Sequence, residues 1–124
     1  MAAPNIVGVT TIIGITTYLS LGNTSATVLL SNAASSGKVF KVNSIIVANV
    51  DGSNTANIIV SINSAAAGGG TAFKLAHTID VAADSTLVVI DKASSIYLEE
   101  NKSLVVTASA GGDLDVICSY EDIS

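Results

Sequence analysis

The sequence predicts an all-β fold, a single antiparallel β-sandwich of eight to nine strands, either jelly-roll or immunoglobulin-like in its connectivity. Three observations predict it. Ile, Val and Thr supply 39 of the 124 residues, against 2 Phe, 3 Tyr and no Trp, and β-branched side chains fit a pleated surface better than a helix. Short apolar runs, several of them alternating with period two, are separated by small polar clusters at regular spacing. No stretch supports a helix of three turns, so the crossover helices of a parallel sheet have no source.

Taken in order, Ile6–Val9 and Ile12–Leu19 read as one or two strands, with Gly8 and Gly14 as bulge or bend points. Ala26–Leu30 is the next strand, and Asn32–Gly37 is a turn by composition. Lys38–Val50 is the longest strand. Its first half alternates, and the apolar run Ile45–Ala48 in its second half calls for burial on both sides or a bulge. Asp51–Thr55 contains Asp51-Gly52, a hairpin signal, and Asn57–Asn63 returns with Ile58, Val60 and Ile62 on one face. Ser64–Gly70 reads as a flexible loop. In the following strand Phe73, Leu75, His77, Ile79 and Val81 share one face. Ala82–Ser85 is a turn, and Thr86–Ile90 looks buried. Ile96–Leu98 and Ser103–Ala108 form a hairpin whose tip is Glu99–Lys102, and Gly111-Gly112 turns the chain into the alternating strand that holds Leu114, Val116, Cys118 and Tyr120.

Composition narrows the function. Only 12% of residues are charged, the net charge is −5, and all five cations are Lys. Nucleic-acid binding needs cations against phosphate and draws on Arg to read bases, so no nucleic-acid partner is expected. No run reaches the roughly 18 apolar residues of a membrane helix, so no membrane partner is expected either. The mean hydropathy is high for a chain with so little interior, which assigns part of the apolar surface to a subunit interface.

Reactive groups are few. His77 is the only histidine, too little for a multi-histidine metal site, and its parity places it toward the core or an interface. Cys118 sits on an apolar stripe and reads as a small hydrophobe. Asp113 and Asp115 lie about 20 Å along one strand from Glu121 and Asp122, so these carboxylates do not converge on a cation. Solvation accounts for Glu99 and Glu100. Gly68-Gly69-Gly70 lacks the Lys and the helix of a phosphate loop. No catalytic residue, cofactor or metal site is expected, and the chain reads as a non-enzyme.

The domain reading divides the chain into an apolar N-terminal strand or arm, residues 1–21, and a sandwich, residues 22–124. The candidate interface is the arm, through Ile6, Val7, Val9, Ile12, Ile13, Ile15, Tyr18 and Leu19. Unpaired strand edges favour addition to a neighbour.

Several stretches resemble a known group. They are the opening Met1-Ala2-Ala3-Pro4-Asn5-Ile6-Val7, the run Ser36-Gly37-Lys38-Val39-Phe40-Lys41-Val42-Asn43, and Val47-Ala48-Asn49-Val50-Asp51-Gly52. Ser95-Ile96-Tyr97-Leu98-Glu99-Glu100, Ser103-Leu104 and Cys118-Ser119-Tyr120-Glu121 complete the set. Together they resemble virion structural proteins of T4-like phages of marine cyanobacteria. The resemblance implies a virion location, as a head-decoration or tail-accessory subunit, with itself and other virion proteins as partners. A homo-oligomer is expected, with a trimer favoured by the habit of phage surface proteins. The alternative is a fibre-tip or host-surface module that binds glycans.

Overall fold

Residues 5–124 are described in a computed structural model of the chain, and Met1–Pro4, the first part of the arm and of the resemblance, lie outside the described residues. Nine strands follow one another: β1 (Ile12–Leu21), β2 (Thr27–Asn32), β3 (Val39–Asn49), β4 (Ala56–Asn63), β5 (Ala72–Val81), β6 (Thr86–Ile90), β7 (Ile96–Leu98), β8 (Lys102–Ala108) and β9 (Leu114–Ile123). The only helical turns among the described residues are three-residue 3₁₀ turns at Ala66–Gly68 and Lys92–Ser94.

The strands form two antiparallel sheets. The larger has the order β1-β9-β3-β6, with β7 also on β3, and the smaller has the order β2-β8-β4-β5. The pairs β1·β9, β2·β8, β3·β6 and β4·β5 are the rungs of one long hairpin with β4–β5 at its tip. Rolling that hairpin up brings β9 onto β3 and β8 onto β4. This connectivity is the jelly roll, which resolves the choice left open between jelly-roll and immunoglobulin-like order.

The inner faces meet in a core of Leu21, Val42, Ile45, Val47, Ile58, Val60, Leu104, Val106, Leu114, Val116 and Cys118. Phe40 and Tyr120 close one end, with ring centroids 5.1 Å apart. β3 carries a bulge, but ahead of the apolar run Ile45–Ala48, whose alternate residues Ile46 and Ala48 are half-buried on the outer side. The register shifts at Asn43, so Phe40 and Val42 point inward before it and Ile45 and Val47 after it.

Several expectations are corrected. The three expected hairpins, β3–β4, β7–β8 and β8–β9, each carry the chain from one sheet to the other. Gly52 is not among the positive-φ residues; the Asp51 carboxylate shapes that turn instead, accepting from Ser53 N at 2.8 Å and Asn54 N at 3.2 Å. Ile6–Val9 forms a turn rather than a strand, and Gly14 lies inside an unbulged strand. In β5, extra residues at Leu75 and at His77-Thr78 break the expected common face, leaving Ala76 buried while Phe73, Leu75 and Ile79 are exposed. β6 buries only Ile90.

The segment 64–71 is a strap folded over the outer face of the smaller sheet. Gly68 N donates to Ser103 Oγ at 2.9 Å, Ser103 Oγ donates to Ala65 O at 2.8 Å, and Ala67 N donates to Ser31 Oγ at 2.9 Å. Its three glycines provide tight geometry rather than looseness: Gly68 and Gly70 have φ of 78° and 70°.

β2, β3 and β4 each end in a buried asparagine. Asn32 Nδ2 donates to Lys38 O at 2.9 Å and across the sandwich to Leu98 O at 3.1 Å. Asn49 Nδ2 donates to Asn54 O and across the sandwich to Val81 O, both at 2.9 Å, while its Oδ1 accepts from Asp51 N. Asn63 Nδ2 donates to Gly68 O at 3.0 Å and so holds the strap. Each amide satisfies backbone groups that the change of direction leaves without ladder partners.

Candidate assembly surface

The groups able to do chemistry are dispersed. His77 lies on the bulged, exposed β5, and among the described residues no Ser hydroxyl or Asp carboxylate is hydrogen-bonded to its ring. Of the two expected placements, core or interface, its exposure excludes the core. Cys118 is fully buried, and burial pushes its thiol up to about 12, in line with a hydrophobe's role. Asp122 pairs with Lys38 at 3.1 Å and Glu121 accepts from Asn43 Nδ2 at 2.9 Å, so these carboxylates are engaged separately. Among the described residues no group of three or more His, Cys, Asp or Glu is placed to hold a metal ion. No helix among the described residues is long and apolar enough to cross a membrane.

At the β3–β4 end, hydrogen bonds from Ser53 N and then from Asn54 hold the Asp51 carboxyl down at about 2. Asp113 is shifted up by partial desolvation and by the neighbouring Asp51 charge. The tip residue Glu100 departs from the solvated reading: both carboxylate oxygens are shielded from solvent and have no hydrogen-bond partner.

The two outer faces differ. The smaller sheet wears the strap. The larger sheet presents an apolar row, left uncovered by the described residues, that runs straight across four strands, because Tyr18 pairs with Ile117, Ile117 with Ile46 and Ile46 with Val88. Tyr18 is 76% and Val88 55% exposed, with Ile117 and Ile46 half-buried between them. Small residues flank the row: Ser20, Asp115, Ala48 and Thr86 on one side, and Thr16, Ser119 and Ser44 on the other. A hollow of about 160 Å³ opens beside Tyr18 and Ile117. Asp115 is the only charge in these rows, and Ser20 Oγ donates to it at 2.6 Å.

The structure separates the candidate interface residues into two groups. Ile6, Val7 and Val9 lie in the turn segment before β1, with Ile6 and Val7 exposed; the end of that segment is tied to the last residue by Thr10 N and Thr11 N donating to Ser124 O at 3.0 Å. Ile12, Ile13, Ile15, Tyr18 and Leu19 lie in β1, an integral edge strand of the larger sheet. Ile12, Ile13 and Tyr18 are exposed, while Ile15 and Leu19 turn partly inward. Sequence reasoning missed Ile117, Ile46 and Val88, because alternation marks a strand's two faces without showing which strands stand side by side.

No protein-family model matches the chain, and no curated protein matches it in sequence. Solved structures are similar in shape. One, of Bacillus endospore appendages described as disulfide-linked pili, is 15% identical with a TM-score of 0.51, covering 92% of this chain and 88% of that one. Another, of the infectious bursal disease virus particle, is 10% identical with a TM-score of 0.51, covering 93% of this chain but only 31% of that one. A third, of the capsid of a Helicobacter pylori bacteriophage, is 10% identical with a TM-score of 0.50, covering 94% and 90%. At such identities the likeness is one of fold: this chain has the two-sheet jelly-roll architecture found in those assembled structures.

Proposed function

We propose that the chain is a structural subunit of a bacteriophage virion, attached to head or tail, that acts through protein–protein contact and performs no catalysis. The observation that carries the reading is the bare row Tyr18-Ile117-Ile46-Val88 on one face of a sandwich whose other face is strapped. An apolar row fringed by small hydroxyl side chains gains from excluding water against another protein. Support also comes from the resemblance to structural proteins of T4-like cyanophages and from the fold shared with capsid and pilus structures. The interface takes in β1 and the residues before it.

Self-association is part of this reading. No residue on the described surface calls for the trimer expected of phage surface proteins. The glycan-binding alternative draws less support, since the exposed aromatics are dispersed: Tyr18 and Tyr97 lie on the flanking strands β1 and β7 of the larger sheet, with β9 and β3 between them, and Phe73 lies on β5 of the smaller sheet.

The test is quantitative mass spectrometry of gradient-purified particles. The chain is expected in many copies per particle, at a fixed ratio to the major capsid protein. Its absence from particles, while it is present in the infected lysate, refutes the reading.

A further inference from the structure

Among the described residues five strands have a free edge, β1, β2, β5, β6 and β7, and all but β1 are guarded, β7 by being only three residues long. β2 is six residues long, carries a bulge at Leu29 and is tied to the strap through Ser31. β5 carries two bulges together with Lys74 and Asp80. β6 is five residues long and its register breaks at Val89. Shortness, bulges and charges are the devices that keep edges from pairing.

β1 has none of them. It runs ten residues, Ile-Ile-Gly-Ile-Thr-Thr-Tyr-Leu-Ser-Leu, with no charge, no proline and an unbroken register against β9. Among the described residues no strand lies on its other side.

We propose that this edge pairs with the β1 edge of a second copy, antiparallel about a two-fold axis at Thr16, joining the two larger sheets into one. The proposal rests on the self-association just described and specifies its geometry.

Two requirements fix the parity of the register. Backbone groups that point to the free edge must meet their equals, and the outward side chains, the even-numbered residues of β1, must stay on the outer face. Both are met only when paired residue numbers have an even sum. The residues themselves select the register. Gly14 leaves the outer face open, with no atom within 4 Å of where a Cβ would stand, while Tyr18 is an exposed ring without cover. Setting Tyr18 opposite the second copy's Gly14 lays the ring over the bare glycine backbone, as aromatic side chains do for glycine in designed sheets. Thr16 then meets Thr16, a favourable cross-strand pair, and the exposed Ile13 meets Leu19. The overlap supplies about eight to ten backbone hydrogen bonds.

The match of Tyr18 to Gly14 and of Thr16 to itself is one that a copy of this strand supplies, and charge does not oppose it. The chain carries −5, yet its nearest carboxylates to this edge, Asp115, Glu121 and Asp122, sit on β9. In the pair the two β9 strands are three strand spacings apart, about 14 Å, beyond the screening length of about 8 Å at physiological salt.

The test uses the full chain with cysteine placed on β1, the native Cys118 being buried. Under mild oxidation Thr16→Cys is expected to give a disulfide dimer roughly ten-fold faster or more than Ser20→Cys, whose copies stand about 27 Å apart in this register. Thr16→Lys sets like charges face to face and is expected to reduce the mass by light scattering to the 12.4 kDa protomer, with an unchanged circular dichroism spectrum. Equal cross-linking at the two positions, or an undiminished mass for Thr16→Lys, overturns the pairing while leaving self-association by another face intact. A wild-type protein of 12.4 kDa at every concentration overturns both the pairing and the self-association on which it rests.

Discussion

Replacing Asn49 by Ala isolates the device that steers β3 across the sandwich. The side chain makes three hydrogen bonds, donating to Asn54 O and Val81 O and accepting from Asp51 N, all at 2.9 Å. Asn49 is 3% exposed and Val81 1%, so water does not readily replace the lost amide. Three bonds at about 1 kcal/mol each, with an added penalty of about 1 kcal/mol for a buried carbonyl left alone, give a loss of about 3–5 kcal/mol. A domain of this size holds about 5–15 kcal/mol in total, so the variant is marginal. Urea unfolding followed by far-ultraviolet circular dichroism should show the midpoint falling by about 2 M with an unchanged slope. Asn49→Asp keeps the shape and the acceptor for Asp51 N but turns a charged oxygen toward two carbonyls, and should cost at least as much. Ser53→Ala, in the exposed part of the same turn, should stay within about 0.5 kcal/mol. A loss under about 1 kcal/mol for Asn49→Ala, or wild-type stability for Asn49→Asp, refutes the reasoning.

Further predictions concern the thiol, an acid and a glycine. Cys118, held up at about 12 in the core, should resist iodoacetamide at about pH 8 in the native protein and react fully in concentrated guanidinium, as mass spectrometry will show. Asp51, held at about 2 against an ordinary 3.8, stabilises the fold fully above 3.8 and loses that effect as pH falls through 2. The stability gap between wild type and Asp51→Ala should therefore be widest near neutrality and close between about pH 4 and pH 2, read by thermal melts across that range. A Cβ on Gly111 would stand 2.7 Å from Gly22 O, a backbone atom that has to shift, so Gly111→Ala should lower stability by about 1–3 kcal/mol in the same urea assay.

Much of the architecture was legible because it depends on local rules. The β-branched composition and period-two runs placed all nine strands close to their true positions, and the apolar run Ile45–Ala48 reflects partial burial on both faces, Ile45 and Val47 in the core and Ile46 and Ala48 half-buried on the outer side. The reading failed where a non-local partner decides the outcome. Asp51-Gly52 and Gly111-Gly112 show that the chain reverses, but not whether it returns beside itself or crosses the core; Asn49 and its bond to Val81 decide the first case. The loop 64–71 looked mobile by composition, and Ser31, Asn63 and Ser103, distant in sequence, pin it. In β5 the alternation was genuine in the sequence, but two inserted residues shifted the phase against β4. For the assembly surface, β1 was visible as an apolar segment, whereas Ile117, Ile46 and Val88 join Tyr18 only once β9, β3 and β6 are aligned.

The pairing of Ile12 with Ile123 has a consequence for how the molecule comes into being. The strand that gives β1 its in-sheet neighbour is the last of the nine to leave the ribosome. Until then an uncharged, greasy ribbon waits through the synthesis of some ninety further residues with no native mate in its own layer. Such non-local closure is slow and leaves the nascent chain open to clumping. Yield should therefore be governed by temperature and expression rate, with cool, slow production favouring the soluble form.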